Sequence, residues 1–216
     1  MITRMIFRGQ WKEGMETAGL QSIQKGIHSI KNRINKQEIM TAAAYRWKAN
    51  IFLYYECINC EIAPEELFSE TVDFLEDWPG RSEKRKWIPM VDVFHFNEPV
   101  SVEHWRRKSP VQRRIGKVAH LRPEMIASYI YYHYQLQEER AFIGDKYQII
   151  AIHENLLFGY FERPEVVEEP LKEKKLNTYG TPENWSDSRM DLHFIPWEDG
   201  TIFFKEIEPV FEAYDE

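Results

Sequence analysis

The 216-residue sequence predicts an α+β fold made of two successive βαββαβ units. Three observations predict it: short strand-like runs and amphipathic helical runs follow one another in that order, the order recurs after residue 112, and the two halves share a matching stretch of sequence. A repeat constrains a fold more than any single motif, because each copy has to satisfy the same packing rules.

The first half opens with a strand from Ile2 to Arg8. Glu13 to Asn35 reads as a helix, with Leu20, Ile23, Ile27, Ile30 and Ile34 three or four residues apart on one face. Met40 to Arg46 and Ile51 to Cys57 read as strands, and Lys48-Ala49-Asn50 between them suits a hairpin turn. Pro64 to Trp78 is expected to be the second helix, with Pro64 in its first turn and Pro79-Gly80 at its end. Trp87 to Phe96 is the fourth strand. The polar stretch from Asn97 to Val111, holding Pro99 and Pro110, marks the boundary, so the expected organisation is a first half over 1–98, a linker over 99–112 and a second half over 113–216.

In the second half Ile115 to Leu121 is a strand and Pro123 opens a helix that runs to about Glu139. Tyr147 to Ile152 and Leu156 to Phe161 are strands joined at His153-Glu154-Asn155. The long polar segment from Arg163 to Asp187 contains whatever second helix exists, and Glu206 to Phe211 is the last strand. The run from Asn50 to Glu56 parallels that from Asn155 to Glu162 with a one-residue slip, Trp78 and Trp185 hold similar places, and Val93-Phe94 parallels Val210-Phe211. A βαββαβ unit is a ferredoxin-like split motif whose antiparallel sheet carries helices on one face, so an apolar second face has to be covered. The expected architecture is therefore two tandem ferredoxin-like units packing sheet to sheet as an α/β barrel.

Composition narrows the function. The formal net charge of −7 argues against a general attraction to nucleic acid or to an anionic membrane surface. Arg106, Arg107, Lys108, Arg113 and Arg114 cluster locally and read as a solvated linker. No apolar run reaches membrane-spanning length, and the start of the chain lacks the apolar region of a secretion signal, so the cytoplasm is the expected location. Cys57 and Cys60 have no second pair to complete a zinc site and read as two free thiols. Aromatic residues at 14% supply rings with polar handles that can reach a ligand.

Residues from about Val118 to Phe211 resemble an L-rhamnose mutarotase, a member of the dimeric α/β-barrel superfamily. The resemblance is carried by Arg122-Pro123-Glu124 followed by Tyr129 and His133, by Tyr147 through Asn155-Leu156-Leu157-Phe158, and by Glu206-Ile207-Glu208-Pro209-Val210-Phe211. It implies His133 as the acid–base group and Tyr129, Tyr147 and Trp185 as substrate-binding residues for a monosaccharide, with no metal and no cofactor. The first half has no equivalent Pro-x5-Tyr-x3-His run, so at most one site per chain is expected, and a duplicated unit needs no partner, so a monomer or homodimer is expected. The family follows its histidine with an Asn-Pro-x-Trp-Pro-Glu run; here Tyr134-Gln135-Leu136-Gln137-Glu138-Glu139 should continue the helix.

The chemistry is consistent with those residues. Anomer interconversion needs a proton removed from the anomeric hydroxyl and one given to the ring oxygen, and a histidine can serve both roles. Tyr129 and His133 at i and i+4 share a helix face. The sequence thus carries two readings: a mutarotase or epimerase-like isomerase acting on a monosaccharide, and a non-catalytic small-molecule-binding or interaction protein on a duplicated barrel. A cofactor-free or haem-using monooxygenase ranks last, because Trp47, Trp78 and Trp105 form no recognisable set.

Overall fold

The computed structural model describes residues 1–80, 83–139 and 143–214. The chain has a mixed α+β fold. In chain order it forms β1 (Ile2–Gln10), α1 (Glu16–Asn35), β2 (Ile39–Trp47), β3 (Asn50–Ile58), α2 (Pro64–Leu67), β4 (Ile88–Pro89), β5 (Val91–His95), α3 (Val102–Trp105), β6 (Arg113–His120), α4 (Ile126–Glu139), β7 (Gly144–Asp145), β8 (Ile149–His153), β9 (Leu156–Arg163), β10 (Val167–Glu168) and β11 (Lys205–Tyr214). These segregate into two units. The first comprises Met1–Met90, Pro99–Lys108 and Ile207–Glu216; the second comprises Val91–Glu98 and Ser109–Glu206.

In the first unit the antiparallel sheet runs β4-β1-β3-β2-β11. The β2–β3 hairpin turns tightly at Lys48, which takes a left-handed backbone with φ 52°. Helix α1 buries Ile23, Ile30 and Ile34, which pack with Leu53, Tyr55, Cys57, Leu67, Phe68 and Phe211 in one apolar cluster. Gly19 is required there, since a Cβ would stand 2.4 Å from Cζ3 of Trp11.

The second helix expected from Pro64 to Trp78 is one turn of α-helix followed by a 3-10 turn at Val72–Phe74. Phe68 leaves helical geometry at φ −133° and enters the apolar cluster opposite Gly26, where a Cβ would be 2.5 Å from its ring. Leu67 and Phe68 are both buried in that cluster, so tertiary packing sets the path of the chain here over the helix start and stop signals. Thr71 then fixes the turn through a 2.9 Å hydrogen bond with Ser22 of α1.

In the second unit the antiparallel sheet runs β6-β9-β8-β5, and β7 and β10 form a separate two-stranded ladder. The β8–β9 hairpin turns at Glu154, left-handed at φ 57°, as β2–β3 does at Lys48. The segment from Arg163 to Asp187 contains no α-helix among the described residues; it leads into 3-10 turns at Trp185–Ser188 and Met190–Leu192. Helix α4 continues through Leu136 to Glu139, as the replaced post-histidine run required.

The single strand expected over Trp87 to Phe96 is split at Met90. Ile88–Pro89 pairs with β1 of the first unit, whereas Val91–His95 pairs with β8 of the second. Conversely, Glu208 to Tyr214 pairs with β2 of the first unit. Both closing strands carry a register shift at the same place: Asp92 faces Ala151 and Phe94 faces Ile150, while Pro209 faces Tyr45 and Phe211 faces Ala44. The parallel between Val93-Phe94 and Val210-Phe211 is thus a shared bulge.

The basic stretch is corrected by its contacts. Residues 99–108 pack into the first unit through Trp105, which is fully buried and donates to Glu56 Oε1 at 2.9 Å. Arg107 binds the same carboxylate through both nitrogens, at 2.5 Å and 2.9 Å, and Tyr54 Oη donates to it at 2.6 Å. Arg4, paired across the sheet from Glu56, donates to Tyr54 Oη at 3.0 Å and lies over the Trp105 ring. Arg114 is buried as well, 3.9 Å from Glu162, and Arg113 pairs with Glu206. Arg107 and Arg114 therefore lie against buried carboxylates, whereas Arg113 pairs with Glu206 at the surface and Lys108 is exposed.

Burial raises the Glu56 pKa, but the Arg107 guanidinium, with Arg4 and the Tyr54 hydroxyl, outweighs it and holds the group below its ordinary 4.5. A depressed carboxylate pKa stabilises the fold above the unfolded value and loses that contribution as pH falls through the folded one. Arg107→Ala leaves a buried carboxylate short of its main counter-charge and should cost about 3–5 kcal/mol. Urea unfolding at pH 7 would read that loss, and acid unfolding should begin at higher pH than in the wild type. A loss under about 1 kcal/mol would show that Arg4 and the hydrogen bonds suffice without Arg107.

Candidate functional site

Helix α4 supplies the centre of the site. A 3-10 turn at Pro123–Met125 leads into it, and Tyr129, His133 and Leu136 recur at helical spacing on the face that meets the sheet. Tyr129 and Leu136 pack with Phe94, Leu121, Ile150, Ile152, Leu157 and Phe194 in the second unit's apolar cluster, and Trp185 lies against it. The structure therefore brings Tyr129, His133 and Trp185 together: ring centroids are 3.9 Å apart for Tyr129 and His133 and 5.4 Å apart for His133 and Trp185, the latter edge to face. Phe94 meets the imidazole edge-on from another side at 5.3 Å.

His133 is held in one tautomer. Its Nδ1 lies 2.9 Å from the Tyr129 carbonyl, which can only accept, so Nδ1 carries the proton and Nε2 presents its lone pair. Burial drives the pKa down to about 4; the hydrogen bond to the Tyr129 carbonyl opposes this and His193 adds to it. Nε2 has no hydrogen-bond partner among the described residues. The Tyr129 hydroxyl is also buried without a partner among the described residues, and burial pushes its pKa up.

Tyr147 stands elsewhere. It is buried in the turn before β8, where its N–H donates to Asp145 Oδ1 at 3.3 Å and Lys146 Nζ lies 5.7 Å from its ring centre. It is absent from the cluster around His133. Its surroundings are nonetheless polar: burial raises the Asp145 pKa to about 6 against the Tyr147 N–H, which lowers it, and Lys146 pairs with Glu168 at 3.0 Å.

His193 and Ser128 escape sequence reasoning. His193 lies 6.4 Å from Tyr129 by ring centroids, and its Nε2 is 2.8 Å from Ser128 Oγ. His193 follows the irregular segment after Arg163, where no periodicity places a side chain; the motif signal available was Ser128 beside Tyr129, which is too common to single out. Among the described residues no group of three or more His, Cys, Asp or Glu could hold a metal ion, and no helix is long and apolar enough to cross a membrane.

No family model matches the chain, and no curated protein matches it. Two solved structures align over 99% of it. One is a "putative monooxygenase" from Lactobacillus acidophilus NCFM, at 9% identity and TM-score 0.41 over 96% of that chain. The other is a "putative monooxygenase" from Fusobacterium nucleatum subsp. nucleatum, at 10% identity and TM-score 0.37 over 94% of that chain. Similarity at this level assigns this chain neither a family nor an activity.

Proposed function

We propose that this chain is a small-molecule-binding protein with one site, in the second unit, formed by Tyr129, His133 and Trp185, and that its ligand is a neutral polyhydroxy compound of monosaccharide size. One observation carries the reading: among the described residues the buried Tyr129 hydroxyl has no hydrogen-bond partner, and neither does Nε2 of the imidazole beside it. Leaving such a hydroxyl unsatisfied costs about 1–3 kcal/mol, which a ligand hydroxyl would recover. A neutral imidazole offers an acceptor without a charge, and Trp185 supports the apolar side of a sugar ring. Tyr147, outside this cluster, is given no role.

Acid–base anomer interconversion is the second reading. The meeting of Tyr129, His133 and Trp185 favours it, since the resemblance to mutarotases places these three at the sugar. The depressed His133 pKa weighs against it, because a base with a pKa near 4 abstracts protons poorly at neutral pH. Binding is therefore the primary reading and catalysis the subordinate one.

Two measurements test this. The His133 imidazole should stay neutral from pH 8 down to pH 5 and titrate near pH 4 in a proton NMR series. Because the unfolded chain takes up that proton at about 6.5, stability should be complete above this value, fall as pH drops and level off below about 4, by roughly 3 kcal/mol in all. An imidazole that titrates at 6.5 would place His133 in water and remove the buried site.

The second measurement is saturation-transfer NMR on a panel of free sugars including L-rhamnose and L-fucose, with wild type and His133→Gln. Ligand saturation that is lost in a folded variant supports binding, and anomer exchange above the buffer rate would add catalysis. A folded wild type that saturates no sugar sinks the reading.

A further inference from the structure

We propose that Ser128 and His193 form a nucleophile–base pair able to cleave a small carboxylic ester. The pair adjoins the proposed ligand site through Tyr129, but the argument for it does not rest on that reading. The argument begins with the imidazole. His193 is 1% exposed, and its Nδ1 lies 3.0 Å from the carbonyl oxygen of Arg189. A carbonyl only accepts, so Nδ1 carries the proton and Nε2 is the free base. Nε2 faces Ser128 Oγ at 2.8 Å, so the serine hydroxyl must donate to it. This is the protonation pattern in which a histidine can take a serine proton as the oxygen attacks, with the base oriented by a third group.

The orienting carbonyl belongs to a constrained residue. Arg189 is left-handed at φ 50°, between the two 3-10 turns, and its guanidinium is tied to Asp191 by two hydrogen bonds of 3.1 Å. A non-glycine residue held there costs on the order of 1 kcal/mol and persists only where its surroundings over-determine it. The ring itself is walled by Tyr129 at 6.4 Å and Tyr132 at 6.3 Å. Ser128 is half-buried on α4 and makes no other hydrogen bond through its side chain among the described residues. The neighbouring Tyr131 is half exposed and stacks edge-on against Tyr132, an aromatic border suited to an aryl ester.

The step balances without a cofactor. Ser128 Oγ bonds to the ester carbonyl carbon while its proton passes to His193 Nε2. The carbon–oxygen bond to the alcohol breaks, and the alcohol leaves with that proton. Water then attacks the acyl-serine, giving its proton to Nε2; the carboxylic acid departs, and the serine oxygen recovers its hydrogen.

The test is covalent labelling of the full chain with diisopropyl fluorophosphate, read by intact mass and peptide mapping, with p-nitrophenyl acetate hydrolysis in parallel. One adduct per chain on Ser128 is expected, absent in Ser128→Ala. His193→Gln, which can keep a hydrogen bond to the serine but cannot act as base, should slow labelling and hydrolysis by about 100-fold while circular dichroism remains that of the wild type. If that variant unfolds, wild-type labelling still decides. No adduct on the folded wild type, an adduct on another residue, or labelling unchanged in a folded His193→Gln would each overturn the pair.

Discussion

The edge of each β-hairpin must be hydrogen-bonded, because an unpaired row of backbone N–H and C=O groups cannot be left in a buried sheet. In the first unit the edge of β2 is completed by the end of the chain, and in the second the edge of β8 is completed by the strand after Met90. Both closing strands shift register at the same point, and each then places a phenylalanine under the long helix of its unit. Phe211 meets Phe68 at 5.8 Å beside α1, and Phe94 meets His133 at 5.3 Å beside α4. The pairing that completes each sheet thus also builds each core, and in the second unit it supplies one wall of the site.

The likeness of the β2–β3 and β8–β9 hairpins was legible because it is local. The Tyr-x-Glu endings of the two matching strands can be read in the sequence, and each forms the same 2.6 Å bond, Tyr54 to Glu56 and Tyr160 to Glu162. Each glutamate also faces an arginine on the neighbouring strand, Arg4 and Arg114. That partner was not legible, since register across strands far apart in sequence leaves no local trace. For the same reason the split at Met90 and the burial of Trp105 could not be foreseen: a polar, proline-containing stretch has the composition of a linker whether or not a distant carboxylate captures it.

The site divides along the same line. Tyr129, His133 and Trp185 were singled out by the resemblance, and helical spacing adds only that Tyr129 and His133 share a face. Tyr147 follows from a strand start, but the strand begins only at Ile149, and the turn before it directs the ring toward Lys146. The second helix expected over Pro64 to Trp78 fails because tertiary packing of Leu67 and Phe68 overrides a start and stop signal that were both present.

Because the two units share a hairpin, a bulge and a long helix, one serves as an internal control for the other. The first unit fills the space between helix and sheet with Ile23, Ile30, Ile34 and their apolar partners; Tyr55 Oη there donates to the Ile62 carbonyl at 2.6 Å, and Trp87 Nε1, which has no hydrogen-bond partner among the described residues, sits on a ring that is otherwise apolar. The second unit places two imidazoles and an unsatisfied tyrosine hydroxyl at that layer, each imidazole fixed in tautomer by a backbone carbonyl. Burying such groups destabilises a core relative to aliphatic filling. The first unit demonstrates that the architecture can be built without them, so the fold alone does not account for Tyr129, His133 and His193. It is at this layer of the second unit that the proposed ligand site is placed.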